Sequence, residues 1–186
     1  LKEKEIVLQN PKLFSVVIDV STPDACIDMA KLCNIHGLPL IIGTTGFNKE
    51  QWAYLKSLTN IPIYYISNFS YGIPYFFRAI EALSGLESDS SWKINVLDVH
   101  HCHKKDAPSG TAKTLAQAIT KATGKKVNIQ SERTGEVIGT HIITLESETE
   151  KIELTHHALH RRIFAQGAVR YISQIEKETR KGLIEF

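Results

Sequence analysis

Residues 98–111 hold an unusual concentration of side chains that can donate or accept protons. The segment reads Asp-Val-His-His-Cys-His-Lys-Lys-Asp-Ala-Pro-Ser-Gly-Thr, and three histidines, two lysines and an aspartate occupy its positions 100–106. Ser109-Gly110-Thr111 comes just before a helical pattern, and the unpaired N–H groups of a helix N-terminus favour anions. Such an arrangement suits a substrate whose carboxylates must be held and which must be protonated.

The residues alone leave three interpretations of the histidine cluster open. One is general acid chemistry, because histidine titrates near neutral pH and lysine can donate a proton or hold a carboxylate. Another is a zinc site, although adjacent residues of an extended segment point to opposite faces and no ligand pair elsewhere in the sequence completes a set. The third is a solvated strand end. His100 is in phase with Trp92, Ile94 and Val96, which predicts that it faces inward.

Residues near the cluster offer further ways to hold a carboxylate. Ser109 is suited to cap a helix, while the backbone at Gly110 and the hydroxyl of Thr111 could bind an anion. Arg161 could grip a carboxylate through two parallel hydrogen bonds, although a charged helix start on the surface is the alternative.

The elements that must position these groups follow from the hydrophobic pattern. Three short apolar runs predict buried parallel strands at residues 15–19, 39–42 and 61–66. Helical patterns separate them, one from Pro23 to Gly37 and one that begins with a capping box formed by Asn48 and Gln51. Strand, helix and strand in alternation with short links predict a parallel α/β sheet.

The pattern changes after Ser70, which places a domain boundary there. The later elements are predicted as a helix at 73–83, a polar loop at 85–91, a strand from Trp92 into the cluster, a helix at 111–123, strands at 137–145 and 151–157, and a helix at 161–180. The first 70 residues therefore read as a nucleotide-type half and the rest as an α+β half. Small residues at Ala165, Gly167 and Ala168 predict close packing of the last helix against a neighbour.

Two loops of the first half could bind a dinucleotide. Gly43, Thr44 and Thr45 follow a predicted parallel strand, and open α/β sheets bind ligands at the carboxyl ends of their strands. Glycine permits close backbone approach, and threonine hydroxyls can bond a ribose or a nicotinamide amide, although a plain turn is the alternative. The segment Ile66-Ser67-Asn68-Phe69 ends the next strand and should lie beside this loop; Asn68 could be only a turn residue and Phe69 only core.

Composition excludes several other classes. With 186 residues, 42% hydrophobic and net charge +2, the chain has an ordinary globular composition without a nucleic-acid-binding signature or an apolar stretch long enough for a membrane helix. Cys26 and Cys33 lie seven residues apart on a predicted helix, so about 10 Å of axial rise separates them and prevents a disulfide. Free buried thiols fit a reducing, cytoplasmic setting.

Several sequence blocks, in order along the chain, resemble the dihydrodipicolinate reductase family. The longest is His-His-x-His-Lys-x-Asp-Ala-Pro-Ser-Gly-Thr at 100–111. The others are Val-Ile-Asp-Val-Ser-Thr-Pro at 17–23, Ile-Gly-Thr-Thr-Gly-Phe at 42–47, Ser-Asn-Phe-Ser-Tyr-Gly at 67–72, Glu-x-x-Gly-x-His at 136–141, Glu-Leu-Thr-His-x-Ala at 153–158 and Arg-x-x-Phe-Ala-x-Gly-Ala at 161–168.

The resemblance implies hydride transfer from NADPH or NADH to a cyclic dicarboxylate in lysine (diaminopimelate) biosynthesis. His100 would be the proton donor and Lys104 its catalytic partner. The implied substrate-binding residues are His101, Ser109, Gly110, Thr111 and Arg161. The implied cofactor-binding residues are Gly43, Thr44, Thr45, Ile66, Ser67, Asn68 and Phe69. No metal is implied, and the family's second domain would build a homotetramer through its sheet.

One departure from the family pattern concerns the nucleotide half. Proteins of this family begin with a strand and a glycine-rich loop that holds the pyrophosphate of the dinucleotide. The sequence of residues 1–186 contains neither. We therefore expect a partial Rossmann-like parallel sheet in 1–70, an α+β substrate and tetramerisation domain with a mixed sheet in 71–160, and a C-terminal helix in 161–186 that returns to the nucleotide domain. We also expect a fragment of a longer protein, in preference to a degenerate copy, and expect these residues alone to bind a dinucleotide weakly or not at all.

Two other functions stay open at this point. A related oxidoreductase such as a semialdehyde dehydrogenase would need a nucleophilic cysteine, for which Cys102 is the candidate near the cluster. A non-catalytic fragment that only binds a dicarboxylate is the other alternative.

Overall fold

The computed structural model describes residue 6, residues 9–84 and residues 91–185. It divides into two compact units, one formed by the chain up to Phe69 together with the chain from Ala165 onward, and the other by Ser70–Phe164. Most of the polar loop predicted at 85–91 lies outside the described residues. None of the helices in the described ranges combines the length and apolar character needed to cross a membrane.

The secondary structure alternates strands and helices in the first half and becomes more varied in the second. In chain order the elements are β1 (Val17–Asp19), α1 (Pro23–His36), β2 (Leu40–Ile42), α2 (Lys49–Ser57), β3 (Pro62–Tyr65), α3 (Gly72–Glu81), β4 (Lys93–His100), α4 (Gly110–Thr123), β5 (Val127–Arg133), β6 (Thr140–Glu146), β7 (Lys151–His157), α5 (Arg162–Ile175) and β8 (Gly182–Glu185).

The first unit is built on a four-stranded parallel sheet with the order β1-β2-β3-β8. Two of its helix signals act as the sequence predicts, whereas Thr22, suited by type to cap α1, makes no side-chain capping bond. Asn48 Oδ1 accepts from the Gln51 backbone N–H at 2.8 Å, and the Asn48 N–H donates to Gln51 Oε1 at 2.9 Å, which completes the capping box. Gly37 ends α1 in the left-handed conformation at φ 71°, which glycine adopts without steric cost.

The end of the chain departs from the sequence-based expectation. The predicted helix at 161–180 stops at Ile175, and the strand β8, which we did not predict, pairs in parallel with β3. Glu178 explains the break, because its carboxylate accepts hydrogen bonds from the backbone N–H and the guanidinium of Arg180. This local pairing turns the chain out of the helix, and a strand of four residues is recognisable only by the partner it joins.

The second unit contains a mixed sheet with the order β5-β4-β6-β7, in which β4 and β5 are parallel and the other pairs antiparallel. Helices α3 and α4 cover one face, where side chains such as Phe76, Leu115, Val96 and Ile143 form the core. The strand β5 was not predicted, because its sequence is mostly polar and its side chains are exposed or half-buried. The predicted strand at 137–145 begins later, at Thr140.

The register of this sheet places polar residues side by side on neighbouring strands, at inward positions that are otherwise apolar. We call these paired residues the polar row. Asp98 on β4 is paired with Ser131 on β5 and with His141 on β6, and His141 is paired with His156 on β7. Paired residues of neighbouring strands project from the same face. The row therefore faces the helix-covered side of the sheet.

A close backbone contact confirms the packing predicted from the small residues of α5. A Cβ atom added at Gly167 would lie 1.6 Å from the carbonyl oxygen of Phe69, which no side chain tolerates. Phe69 is restrained on its other side as well, because a Cβ at Gly43 would lie 2.4 Å from its ring. Phe69, in the segment after β3, therefore lies between Gly43 and Gly167 of the same unit.

We expect Gly167→Ala to lower the free energy of unfolding by about 1–3 kcal/mol, because the added methyl must displace the Phe69 backbone. In an unobstructed helix the same change raises stability by about 1 kcal/mol. Urea unfolding measures the effect, with Gln166→Ala on the exposed side of α5 as a control expected to stay within about 0.5 kcal/mol. A Gly167→Ala protein at least as stable as the native one would contradict the contact.

Candidate active site

The carboxylate of Asp98 is the centre of the polar row in the second unit. Its side chain is fully buried, and Ser109 donates to it twice, from the backbone N–H to Oδ2 at 2.9 Å and from Oγ to Oδ1 at 2.7 Å. Arg133 donates from Nη2 to Oδ2 at 3.0 Å. His100 Nδ1 and His141 Nε2 lie 3.0 and 3.4 Å from Oδ1. Ser131 Oγ also donates to Oδ2 at 3.4 Å. One buried carboxylate thus touches five polar residues from three strands and a helix start.

These contacts keep Asp98 ionised. Burial alone would raise the pKa of Asp98, but the contacts with His100, His141 and Ser109 outweigh burial and hold the pKa well below its usual range. Arg133 places a positive guanidinium 3.0 Å from Oδ2. Asp98 is therefore an anion inside the protein at neutral pH.

His141 is the neutral neighbour of this anion. It is 1% exposed, and burial lowers its pKa even though Asp98 acts in the opposite direction. A neutral ring that faces Asp98 through Nε2 must carry its proton there to donate it. Its Nδ1 has no hydrogen-bond partner in the described part of the chain, which fits this tautomer. The ring also makes an edge contact with His100, with 5.3 Å between the centroids.

His100 lies at the last position of β4 and faces inward, as the alternation predicted. Its Nδ1 is within ion-pair distance of Asp98, although the ring N–H is not aligned for a hydrogen bond. Its Nε2 is on the other side of the ring, where a Cβ added at Gly139 would approach it to 3.1 Å. The Asp98 carboxylate therefore lies at Nδ1, while Nε2 is the ring nitrogen that faces away from it.

The loop after β4 brings further predicted site residues to this place. Lys104 Nζ lies 2.6 Å from Asp106 Oδ1, and this contact lowers the pKa of Asp106 against the opposing effect of burial. His101 is half-buried, and its pKa is lowered first by burial and then by the charge of Arg161. Arg161, just before α5, therefore acts electrostatically on His101, while its own side chain is exposed.

The N-terminus of α4 completes the group in the second unit. Ser109 caps the helix, because its Oγ accepts from the Ala112 backbone N–H at 3.1 Å while donating to Asp98. Gly110 is half-buried and Thr111 is buried in the first turn of the helix. The predicted catalytic and substrate-binding residues are therefore all in the second unit, on β4, the loop after it, the start of α4 and the start of α5.

The predicted cofactor-binding residues lie in the first unit, after β2 and β3. Thr44 is buried, and its Oγ1 donates to Asp19 Oδ1 at 2.6 Å, so its hydroxyl hydrogen is used within the protein. Asp19 also accepts from the backbone and hydroxyl of Ser21. Thr45 is half-buried. The Gly43 N–H donates to the Asp19 carbonyl at 2.8 Å, which fixes the start of this loop.

The second predicted cofactor segment lies next to the first because β2 and β3 are neighbours in the sheet. Ile66 and Phe69 are 2% and 7% exposed, so a contact of either with a ligand would come from the backbone. Ser67 and Asn68 are half-buried. Their place at the carboxyl ends of parallel strands is where open α/β sheets bind ligands.

Three central residues, Asp98, Arg133 and His141, were not among the predicted site residues. Asp98 could have been found, because it alternates with His100 on the inward face of β4. His141 required the register between β4 and β6. Arg133 lies at the end of the unpredicted strand β5.

Among the residues that the structure describes, two groups of side chains bring potential metal ligands within 4.8 Å of one another: Asp98, His100 and His141, and Cys102, His103 and Glu136. The antiparallel register places His141 beside Asp98, which sequence spacing alone did not indicate. In the buried group the Asp98 oxygens already bind Ser109 and Arg133. An ion there would lie close to the positive guanidinium, so the buried group is better explained as an ion-pair network.

Models of known protein families show which family this chain belongs to. The model for the N-terminus of dihydrodipicolinate reductase matches residues 2–69, and the model for its C-terminus matches residues 72–186. This chain belongs to the dihydrodipicolinate reductase family. A 4-hydroxy-tetrahydrodipicolinate reductase of Xanthomonas campestris pv. campestris strain B100 is 39% identical over 157 residues, covering 84% of this chain and 65% of that protein.

Other members of the family match similarly. The 4-hydroxy-tetrahydrodipicolinate reductase of Alkaliphilus oremlandii is 36% identical over 174 residues, covering 84% of this chain and 72% of that protein. The chain thus spans only about two thirds of the length of such relatives, 65% in the Xanthomonas case.

Solved structures share the fold. Dipicolinate-bound dihydrodipicolinate reductase from Paenisporosarcina sp. TG-14 superposes with a TM-score of 0.69 at 22% identity, covering 98% of this chain and 75% of that one. An amine dehydrogenase from Mycobacterium smegmatis gives 0.57 at 10% identity, covering 97% and 76%. The α/β class, with a parallel sheet followed by a mixed sheet, is confirmed.

We expect Asp98→Asn to lower the free energy of unfolding at neutral pH by about 3–5 kcal/mol, because it leaves Arg133 without its buried partner. The pKa of Asp98 is depressed in the folded state, so this stabilisation is present above the unfolded pKa of about 3.9 and is lost as the pH falls. Urea unfolding should therefore show a difference that shrinks in acid. Asp106→Asn is the control, and an Asp98→Asn protein within about 1 kcal/mol of the native one would refute the role.

We also expect stability to fall as the pH drops below about 6.5, the unfolded histidine pKa. Burial lowers the pKa values of His141 and His156 in the folded state, so both take up protons on unfolding. Each contributes up to about 1.4 kcal/mol per pH unit. In urea unfolding at several pH values, His141→Gln should flatten this slope, whereas His36→Gln, at an exposed position, should not. Equal slopes in the two variants would rule out His141 as the source.

Proposed function

We propose that this chain carries the reducing site of a 4-hydroxy-tetrahydrodipicolinate reductase of lysine (diaminopimelate) biosynthesis. In this reaction the 4-hydroxy compound loses water to give dihydrodipicolinate, and a hydride from NADPH or NADH and a proton are then added to this cyclic dicarboxylate to form tetrahydrodipicolinate. The names of the relatives support the reaction. The structural observation that carries the proposal is the buried pair of Asp98 and His100 beside the N-terminus of α4.

His100 is the proton donor of this proposal. The Asp98 carboxylate lies 3.0 Å from Nδ1 and orients the ring, which leaves Nε2 to transfer a proton to the substrate. Lys104 is the partner of His100, and its contact with Asp106 restrains the ammonium group within the same loop. General acid catalysis of this kind typically contributes about 100- to 10,000-fold to the rate.

The two carboxylates of the substrate need groups of opposite charge or directed N–H donors. The backbone at Gly110 and Thr111, in the first turn of α4, offers the N–H groups and the positive end of a helix dipole. Arg161 can hold a carboxylate through two parallel bonds, and His101 is placed within its electrostatic reach. Ser109 supports this surface by fixing the helix start to Asp98.

A nicotinamide cofactor supplies the hydride when bound, and the loops after β2 and β3 fit its binding. Both loops follow adjacent parallel strands, and the absence of a side chain at Gly43 lets the Phe69 ring of the second loop pack against the first. Thr44 fixes the loop through Asp19 rather than through a ligand. The backbone of residues 43–45 and 66–69 and the half-buried Thr45, Ser67 and Asn68 would then contact the cofactor.

The second unit also has a surface suited to a subunit interface. The face of its sheet opposite α3 and α4 carries the half-exposed side chains of Leu97, Val99 and Ile142 on adjacent strands. Apolar side chains on a sheet face need a covering layer. The proposal therefore includes a homotetramer assembled through this face.

In the full-length protein, His100→Ala and Lys104→Ala should each lower turnover by about 100- to 10,000-fold, because each removes a group that acts in proton transfer. Binding of pyridine-2,6-dicarboxylate, measured by titration calorimetry, should persist in both. His160→Ala, at an exposed position, is the matched control and should leave turnover unchanged. If both variants turned over at the native rate, the assignment of the proton donor would be incorrect.

The same assay separates this proposal from thiol chemistry. Cys102 is exposed in the turn after β4, and the proposed reaction makes no use of it. Cys102→Ser should therefore retain native turnover, whereas a mechanism that needs a nucleophilic cysteine would lose it.

A further inference from the structure

Arg133 has no assigned role, yet it holds together the parts of the proposed site. We infer that Arg133 is a positioning residue for the proton donor. Its guanidinium fixes the Asp98 carboxylate against His100 and ties the loop of Lys104 to the end of β4. The inference rests on the proposed reductase function, which it deepens.

The contacts of Arg133 reach two separate segments of the second unit. Nη2 donates to Asp98 Oδ2 at 3.0 Å and to the backbone carbonyl of Asp106. Nη1 donates to the backbone carbonyl of Asp98 at 3.2 Å and to that of Glu132 at 2.7 Å. The side chain is only 17% exposed. One guanidinium therefore binds the side chain and the backbone of Asp98 while it also holds the following loop.

The first consequence concerns the orientation of the Asp98 carboxylate. Arg133 binds Oδ2, and the other oxygen, Oδ1, lies 3.0 Å from His100 Nδ1 and 2.7 Å from Ser109 Oγ. Because the two oxygens are rigidly linked, fixing one fixes the direction in which the other faces His100. Loss of the guanidinium would also remove the nearest permanent positive charge from a buried anion.

The second consequence concerns Lys104. Its ammonium group is paired with the Asp106 side chain at 2.6 Å, while Arg133 holds the backbone carbonyl of Asp106. The distance between Lys104 and His100 therefore depends on a bond between β5 and the loop. Arginine is suited to this task because its planar group presents several N–H donors in fixed directions, whereas lysine is a single point charge.

Within the described residues, Arg133 makes no hydrogen bond to the groups proposed to bind the substrate carboxylates. Its hydrogen bonds within the described residues go to Asp98, Glu132 and Asp106, and not to His101, Gly110, Thr111 or Arg161. We therefore expect its loss to act on turnover far more than on KM. The loss of a residue that only stabilised the fold would not lower turnover selectively while KM stayed nearly unchanged.

The test uses the full-length protein with Arg133→Gly and Arg133→Lys. Because a misplacement of about 1 Å at a reacting group can cost about 100-fold, turnover should fall about 100-fold in Arg133→Gly while KM changes little. Millimolar guanidinium chloride should raise the turnover of Arg133→Gly, with sodium chloride at the same ionic strength as the reference. Arg133→Lys should also lose turnover, and Arg162→Ala, at an exposed arginine, should match the native protein with and without guanidinium.

The outcomes distinguish the positioning role of Arg133 from the proposed reductase function. Native turnover in both Arg133 variants, a loss that acts only through KM, or a glycine variant that guanidinium does not rescue would overturn the positioning role. If Arg133→Gly does not fold, the thermal midpoint shows this, and the turnover and KM of the charge-conserving Arg133→Lys decide the question. A native protein without reductase turnover would overturn the proposed function itself, and this inference with it.

Discussion

A carboxylate that is wholly buried stays ionised only if its oxygens are hydrogen-bonded and its charge is paired, because the desolvation of an isolated charge is very costly. Asp98 meets this condition through Ser109, Arg133 and the two histidines at its side. Each of these partners comes from a different element of the second unit. The need to satisfy one buried anion therefore fixes the end of β4, the start of α4 and the end of β5 relative to one another.

This constraint explains why most of the proposed catalytic and binding groups occur in one short segment of sequence. His100 lies two positions after Asp98 on the same face of β4, so its Nδ1 lies 3.0 Å from the Asp98 carboxylate. Ser109 joins the same carboxylate to the helix start, where N–H groups can hold a substrate carboxylate. Structural stability and the proposed chemistry thus depend on the same contacts.

Much of this could be predicted from local sequence signals. The inward position of His100 follows from strand alternation, and the capping box of Asn48 and Gln51 from side-chain chemistry. The strand β5 could not be recognised in this way, because a polar strand is defined by its partner, and with it Arg133 was missed. His141 was missed for a related reason, since only the register of β6 shows that it faces Asp98.

The most direct test of the account is an acid titration of the Asp98 carboxyl carbon by NMR in the folded protein, with the resonance assigned from Asp98→Asn. The account predicts that the chemical shift stays at its ionised value through the ordinary aspartate range, around pH 3.9. A titration midpoint at or above that value would mean that Asp98 is not held as an anion by its neighbours. The organisation of the site around this residue would then be wrong.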